Sequence, residues 1–298
     1  MILALAVVLT WKSAGLAGVN VNALLFDRGS LYAATDSGIF VRVGGDAWSA
    51  LTPESFSAIA ADPAGVLYAG GSDVVKSIDG GQSWSVINPI EVSSIVVDSH
   101  SNIYAGTRDS GIFKSTDGGT TWSAKPTGIT GFVITLTLDP RDSAIVYAGT
   151  NRGVLKSVDG GNSWRQINNG ITVPFSITSI VIDPSSPSTV FAASPFAAVF
   201  RSDDAGESWR PSSNGLPSNW VSALALQNRT TLYAGTPEQG VFRSIDGGGS
   251  WAEFNSELPN RSINSLALPP GGSQLYAATA SGIFFVDFAP RSRSVRRR

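Results

Sequence analysis

One eight-residue box recurs five times along this chain, as SIDGGQSW (77–84), STDGGTTW (115–122), SVDGGNSW (157–164), SDDAGESW (202–209) and SIDGGGSW (244–251). A shortened sixth copy, VGGDAW, ends at Trp48. Trp48, Trp84, Trp122, Trp164, Trp209 and Trp251 are 36, 38, 42, 45 and 42 residues apart. A repeat of about 40 residues fixes architecture before any other signal does. It also limits what the sequence says about function, because a segment copied around the chain is scaffold and chemistry must sit where the copies differ.

Two further motifs run in step with the box. LYAAT, LYAGG, IYAGT, VYAGT, VFAAS, LYAGT and LYAAT begin at Leu31, Leu67, Ile103, Val146, Val190, Leu232 and Leu275. Each follows an apolar run such as VNALLFD (21–27), VSSIVVD (92–98) or ITSIVID (177–183). Every unit thus holds four short apolar segments rich in Val, Ile, Tyr, Phe and Trp, broken by Asp-Pro, Asp-Gly and Gly-Gly, with no sustained helical period. The expected fold is all-β: a seven-bladed β-propeller of four-stranded antiparallel blades. The seventh unit ends in SGIFFVDF (281–288) without a box, while LTWKSAG (9–15) aligns with the tail of one. The N-terminal residues 1–13 should therefore supply the outer strand of the last blade and close the ring, removing an exposed edge.

The box has a physical reason to recur. Asp-Gly-Gly between two strands supplies the positive-φ positions of a tight hairpin, and its Ser and Asp side chains can bond backbone groups the turn leaves unpaired. The Trp starts the next strand and can pack between sheets. Asp79 and Trp84, Asp117 and Trp122, Asp159 and Trp164, Asp204 and Trp209, and Asp246 and Trp251 are accordingly structural. A cation precedes every full box (Lys76, Lys114, Lys156, Arg201, Arg243), and repetition makes it structural too, with a nearby carboxylate as its expected partner.

The propeller fills residues 1–288 as a single domain, leaving 289–298 as a basic disordered tail. The apolar opening of nine residues is too short for a membrane span, which needs about 20; it reads as a strand or a worn leader. A net charge of −2 gives no case for nucleic acid. The absence of cysteine excludes thiol chemistry and Cys metal sites, and the lone His100 cannot build an ordinary zinc site. There is no Gly-Lys dipeptide for a phosphate-binding loop and no G-x-S-x-G elbow. No cofactor and no metal are expected, and the chain is expected to be a monomer. A secreted or periplasmic setting is expected, with a cytoplasmic one left open.

The pattern S-x-D-G-G-x-[ST]-W resembles the Asp-box, or BNR, repeat, and the resemblance covers essentially the whole chain apart from the tail. Families that share it include sialidases, xyloglucanase-type glycoside hydrolases, sortilin-like receptors and propellers of the photosystem II assembly-factor type, which this pattern is most similar to. The resemblance implies that the box is a hairpin away from the functional face. A sialidase would need an Arg-Ile-Pro motif, which is absent, and a Tyr–Glu pair. Yet Tyr32, Tyr68, Tyr104, Tyr147, Tyr233 and Tyr276 all fall in the repeated second strand and read as core. A xyloglucanase-type enzyme would need two propellers, each giving a catalytic Asp, and this chain supplies one.

Strand order places the boxes and the turns between first and second strands on one side, the lower face. The loops between second and third strands, and the links between blades, lie on the other, the upper face. Loops on a rigid frame are where ligands bind. The upper loops differ most in blades four to six, where the period stretches. With Arg108 of blade three, they offer Phe132, Arg152, Phe175, Phe196, Trp220, Glu238, Gln239 and Arg261 as a binding set, because aromatic residues beside arginine make interface anchors. Glu238 and Asp109 are the candidate catalytic acids if a sugar is cleaved. Two functions remain open: a non-catalytic scaffold for a protein or assembly partner, or a carbohydrate-active module acting on a polysaccharide. The first strands also carry a quasi-ring of small polar residues, Asn22, Ser57, Ser93, Thr178, Ser222 and Asn264, interrupted by Ile134. Either a hydrated channel or close packing at the axis would explain it.

Overall fold

A computed structural model describes residues 9–288 except 127, 129–130, 172–175, 197 and 218–219. Its strands form seven four-stranded antiparallel sheets, and among the described residues there is no helix. Blades one to six cover 21–52, 56–88, 94–125, 133–166, 179–211 and 223–253, each in simple up-and-down order. The seventh combines Ile263–Ala267, Gln274–Thr279 and Gly282–Asp287 with the N-terminal strand Lys12–Gly15. That strand pairs Lys12 with Phe285 and Ser13 with Phe284. It begins late in the expected 1–13 segment and runs on to Gly15: Trp11 precedes it, donating its backbone N–H to Ser256 O (3.0 Å) and its indole N–H to Phe254 O (2.7 Å). Residues 1–8 and the tail 289–298 lie outside the described residues.

There is no single core. Seven apolar clusters fill the seven gaps between neighbouring sheets. One of them joins blade seven to blade one through Tyr276, Ala278, Ile283, Val21, Leu31 and Ala33, which closes the ring. The second strands feed two clusters at once, so VYAGT at 146–150 is buried at every position. All six tyrosines are buried there, as expected of core residues.

The five full boxes share one hydrogen-bond pattern. In blade three, Ser115 Oγ donates to Asp117 Oδ1 (2.8 Å) and accepts from Gly119 N (2.9 Å). Asp117 then accepts from Thr121 N (2.9 Å) and Thr121 Oγ1 (2.6 Å). Gly118 and Gly119 sit at φ 70° and 92°, a region where a side chain is strained. These bonds hold Asp79, Asp117, Asp159, Asp204 and Asp246 at a pKa of about 2, against an ordinary 3.8.

Four of the five cations before the box take a backbone carbonyl, and not a carboxylate, as their common partner, while Arg243 lies over the Phe254 ring at 4.9 Å. The four reach into the next blade and donate to a box carbonyl: Lys76 Nζ to Gly118 O (2.9 Å), Lys114 Nζ to Gly160 O (2.7 Å), Lys156 Nζ to Ala205 O (2.8 Å) and Arg201 Nη1 to Gly247 O (2.7 Å). Each of the four lies over the aromatic ring of its own second strand, 5.2 to 5.8 Å from the centroid. For these four cations, carboxylates add to this at Arg201–Asp203 (2.6 Å) and Lys156–Glu207 (3.9 Å).

The polar quasi-ring near the axis proves to be a belt of hydrogen bonds between blades. Asn22 Nδ2 donates to Phe56 O (2.9 Å), Ser57 Oγ to Val92 O (2.8 Å), Ser93 Oγ to Val133 O (2.5 Å), Thr178 Oγ1 to Val221 O (2.6 Å), Ser222 Oγ to Ile263 O (2.5 Å) and Asn264 Nδ2 to Val21 O (3.0 Å). The last of these closes the circle. Asn22, Ser57, Ile134 and Asn264 sit at irregularities in the ladder, which turn a side chain sideways toward the next sheet. Ile134 has no donor, so the belt is open between blades four and five.

Candidate functional site

The upper face is assembled by one recurring backbone bond. The carbonyl that ends a second strand accepts from the first core residue of the next blade: Gly71 O from Val92 N (2.8 Å), Thr107 O from Val133 N (2.9 Å), Thr150 O from Ile177 N (2.9 Å) and Ser194 O from Val221 N (3.2 Å). Each such bond draws a loop and the neighbouring link into one junction. The loops themselves are tight, because the terminal threonine folds back on them. Thr107 Oγ1 donates to Gly111 O (2.9 Å), Thr150 Oγ1 to Gly153 O (2.9 Å) and Thr236 Oγ1 to Gly240 O (3.0 Å).

The expected binding residues therefore come together in pairs. At the junction of blades three and four, Arg108 follows Thr107 and Phe132 precedes Val133. Phe132 is further fixed by Asn151, whose Oδ1 accepts Phe132 N (3.0 Å) while Asn151 N donates to Phe132 O (3.1 Å). Arg152, beside Asn151, is exposed and gives its backbone N–H to Thr150 Oγ1 (3.0 Å). At blades five and six, Ser194 ties both members: its hydroxyl accepts Phe196 N (3.2 Å) and its carbonyl accepts Val221 N, next to Trp220. At blades six and seven, Arg261 O accepts Gly240 N (3.0 Å), and Asn255 Nδ2 donates to Gln239 O (2.9 Å), so Glu238, Gln239 and Arg261 share one corner. Phe175 lies outside the described residues.

Three aromatics on these junctions face solvent: Phe132 is 47% exposed, Phe196 61% and Trp220 53%. Arg108 is 3.8 Å from Glu91, with both side chains about two-thirds exposed, a geometry that contributes little to stability. Glu238 and Asp109 stand on blades six and three, on loops three blades apart around the ring, and nothing in the hydrogen-bond network joins them.

On the same face, two members of the quasi-ring, Asn22 and Asn264, join Asn20 and Asp36, which the expected binding set did not include. Asp36 accepts from Asn20 Nδ2 (2.7 Å) and Asn22 Nδ2 (2.8 Å), bonds that lower its pKa, and Asn264 Nδ2 donates to Asn20 Oδ1 (2.8 Å). Asn20 has no counterpart in other repeats, so periodicity could not reveal it. The extra residues of blades four to six also do not all enlarge the upper loops. Some form turns at the outer edge, where Asn169 O accepts Trp209 N (2.8 Å) and Asn214 O accepts Trp251 N (2.9 Å).

His100 is on the lower face. Its Nδ1 is 3.1 Å from Ser143 Oγ of the next blade and 3.4 Å from Ser99 Oγ, partners that its sequence surroundings did not suggest. Among the described residues no group of three or more His, Asp or Glu is arranged to hold a metal, and no helix is long and apolar enough to cross a membrane.

No family model and no curated protein matches the chain. Solved structures do. A GH74 enzyme of Niastella koreensis is 20% identical with a TM-score of 0.76, over 95% of this chain and 54% of that one. The GH74 xyloglucanase from Xanthomonas campestris is 20% identical with a TM-score of 0.73, over 92% and 53%. The chain thus spans about half the length of these enzymes. YCF48 bound to D1 peptide is 17% identical with a TM-score of 0.75, over 96% of this chain and 97% of that one. At these identities the likeness establishes the fold, a seven-bladed propeller, and nothing finer.

Proposed function

We propose that the chain is a non-catalytic propeller that binds a protein segment through the upper-face junctions of blades three to seven. The observation that carries this reading is the set of solvent-facing aromatics, Phe132, Phe196 and Trp220. Each is anchored through its own or an adjacent backbone bond, and the set shares the face with Arg108, Arg152 and Arg261. Aromatic and guanidinium groups are the side chains that most often anchor interfaces, and here their backbones are held in place before a partner arrives. The match of one whole propeller to YCF48, a protein solved with a bound peptide, fits a single-propeller binding module.

The test is capture of a native partner by the purified chain and by two variants, Phe196→Ala/Trp220→Ala and Arg108→Glu/Arg152→Glu/Arg261→Glu. Both sets lie on exposed loops and should leave the thermal midpoint within a few degrees, while capture falls at least about tenfold, the loss of one or more anchors. Unchanged capture would reject the face.

A carbohydrate-active module is the second reading, favoured by the likeness to two GH74 enzymes. It predicts turnover of a β-glucan that is abolished by Glu238→Gln or Asp109→Asn. A chain that binds and cleaves no β-glucan removes it.

A further inference from the structure

The lower face carries a cavity at the one blade junction where the repeat pattern is broken on both sides. From blade two to blade six, a cation on one third strand reaches the box carbonyl of the next blade. Between blades seven and one neither half of that latch exists. The ladder that pairs Tyr104 with Lys114 in blade three pairs Tyr276 with Phe285 in blade seven, so an aromatic ring replaces the cation. The box of blade one is shortened, and Arg42 stands where other boxes have their serine. A cavity of about 790 Å³ opens there, lined among others by Phe26, Asp27, Arg42, Asp46, Tyr276 and Phe285. That volume is within the ~300–1,000 Å³ of small-molecule sites.

Its chemistry is specific. Arg42 reaches back into blade seven, donating from Nη2 to Tyr276 OH (3.0 Å) and from Nη1 to Ala14 O (3.3 Å). Its guanidinium lies 5.5 Å from the ring centroids of both Trp48 and Tyr276. No carboxylate lies within salt-bridge distance of Arg42, and no cation within that distance of Asp27 or Asp46, among the described residues. Guanidinium has five N–H donors, so Arg42 retains others for a ligand. Phe26 meets Tyr276 edge-on at 5.2 Å and Tyr276 stacks on Phe285 at 5.5 Å, which makes a continuous aromatic wall.

We propose that this cavity binds a small zwitterion with an aromatic or apolar side chain, an amino acid in chemical class. Arg42 takes the carboxylate, Asp46 takes the ammonium, and the wall of Phe26, Tyr276 and Phe285 takes the side chain. A simple anion would meet two lining carboxylates and a simple cation would meet Arg42 and Arg28, whereas a zwitterion answers both signs. The site is on the opposite side of the ring from the partner-binding face and is independent of it.

Three probes differ in one group each: L-phenylalanine, phenylacetate and phenethylamine, titrated into the full chain by calorimetry or ligand-observed NMR. Phenylalanine should saturate at the lowest concentration. Arg42→Gln should weaken phenylalanine and phenylacetate about tenfold or more while sparing phenethylamine. Asp46→Asn, on an exposed turn where the fold is not at stake, should weaken phenylalanine and phenethylamine several-fold while sparing phenylacetate. No saturable binding of phenylalanine at millimolar concentration overturns the proposal. So does phenylacetate binding as tightly as phenylalanine, or an Asp46→Asn chain that binds all three probes as the unaltered chain does.

Discussion

Asn264 and Ser222 show how much of this ring depends on single side chains, because each sends one donor into the backbone of the next blade. Removing such a donor leaves a carbonyl without its partner at a packed junction. Ser222→Ala and Asn264→Ala should each lower unfolding free energy by ~1–3 kcal/mol in a urea titration, and an unchanged midpoint would deny the belt its role. A second test concerns Asp183, which is 1% exposed and whose Oδ2 has no hydrogen-bond partner. In blade three the matching Asp98 Oδ2 is 3.3 Å from the hydroxyl of Tyr104, but blade five has Phe191 at that place. Phe191→Tyr restores the donor and should stabilise the chain by ~1 kcal/mol, read in the same titration. The belt was half legible: spacing showed the small polar residues at one register, but only their bonds to carbonyls of the next blade show that they point across blades and not into the channel.

The box hairpin is the element the sequence reveals best, because its geometry is local and Ser, Asp and the glycines all lie within eight residues. Its aspartates give a pH signature. With folded pKa values of about 2 against 3.8, their contribution is fully present above pH ~4 and is lost as pH falls toward 2. Thermal midpoints should therefore be insensitive to this group from neutral pH down to ~4 and fall below it, with a shallower fall in Asp117→Asn. A slope in this chain that Asp117→Asn leaves unaltered would count against it. The outer turns were not legible, since their partners are 40 or so residues away. Gly170 is at φ 90°, and a Cβ there would sit 2.0 Å from Trp209 O. Gly170→Ala should cost more than ~2 kcal/mol, combining αL strain with a backbone collision; a neutral result would mean that the turn does not clasp the next blade.

On the scale of the whole molecule, seven wedges, each sharing its core with the next, make every loop position depend on closure. The count of blades and the sides on which loops fall were readable from the repeats, because the period and the strand order determine them. The pairing of upper-face residues into junctions was not, since it rests on backbone bonds between blades such as Ser194 O with Val221 N. Nor was the cavity beside Arg42, which arises where the repeat fails on two sides at once. Closure itself is open to a direct measurement, since the chain has no cysteine of its own. Lys12 and Phe285 are register partners of the closing strand. In a Lys12→Cys/Phe285→Cys chain, oxidation should form an intramolecular disulfide without denaturant and raise the thermal midpoint above that of the same chain reduced. Only intermolecular disulfides, or none, would place the first strand elsewhere and contradict the closed ring from which both proposed sites are built.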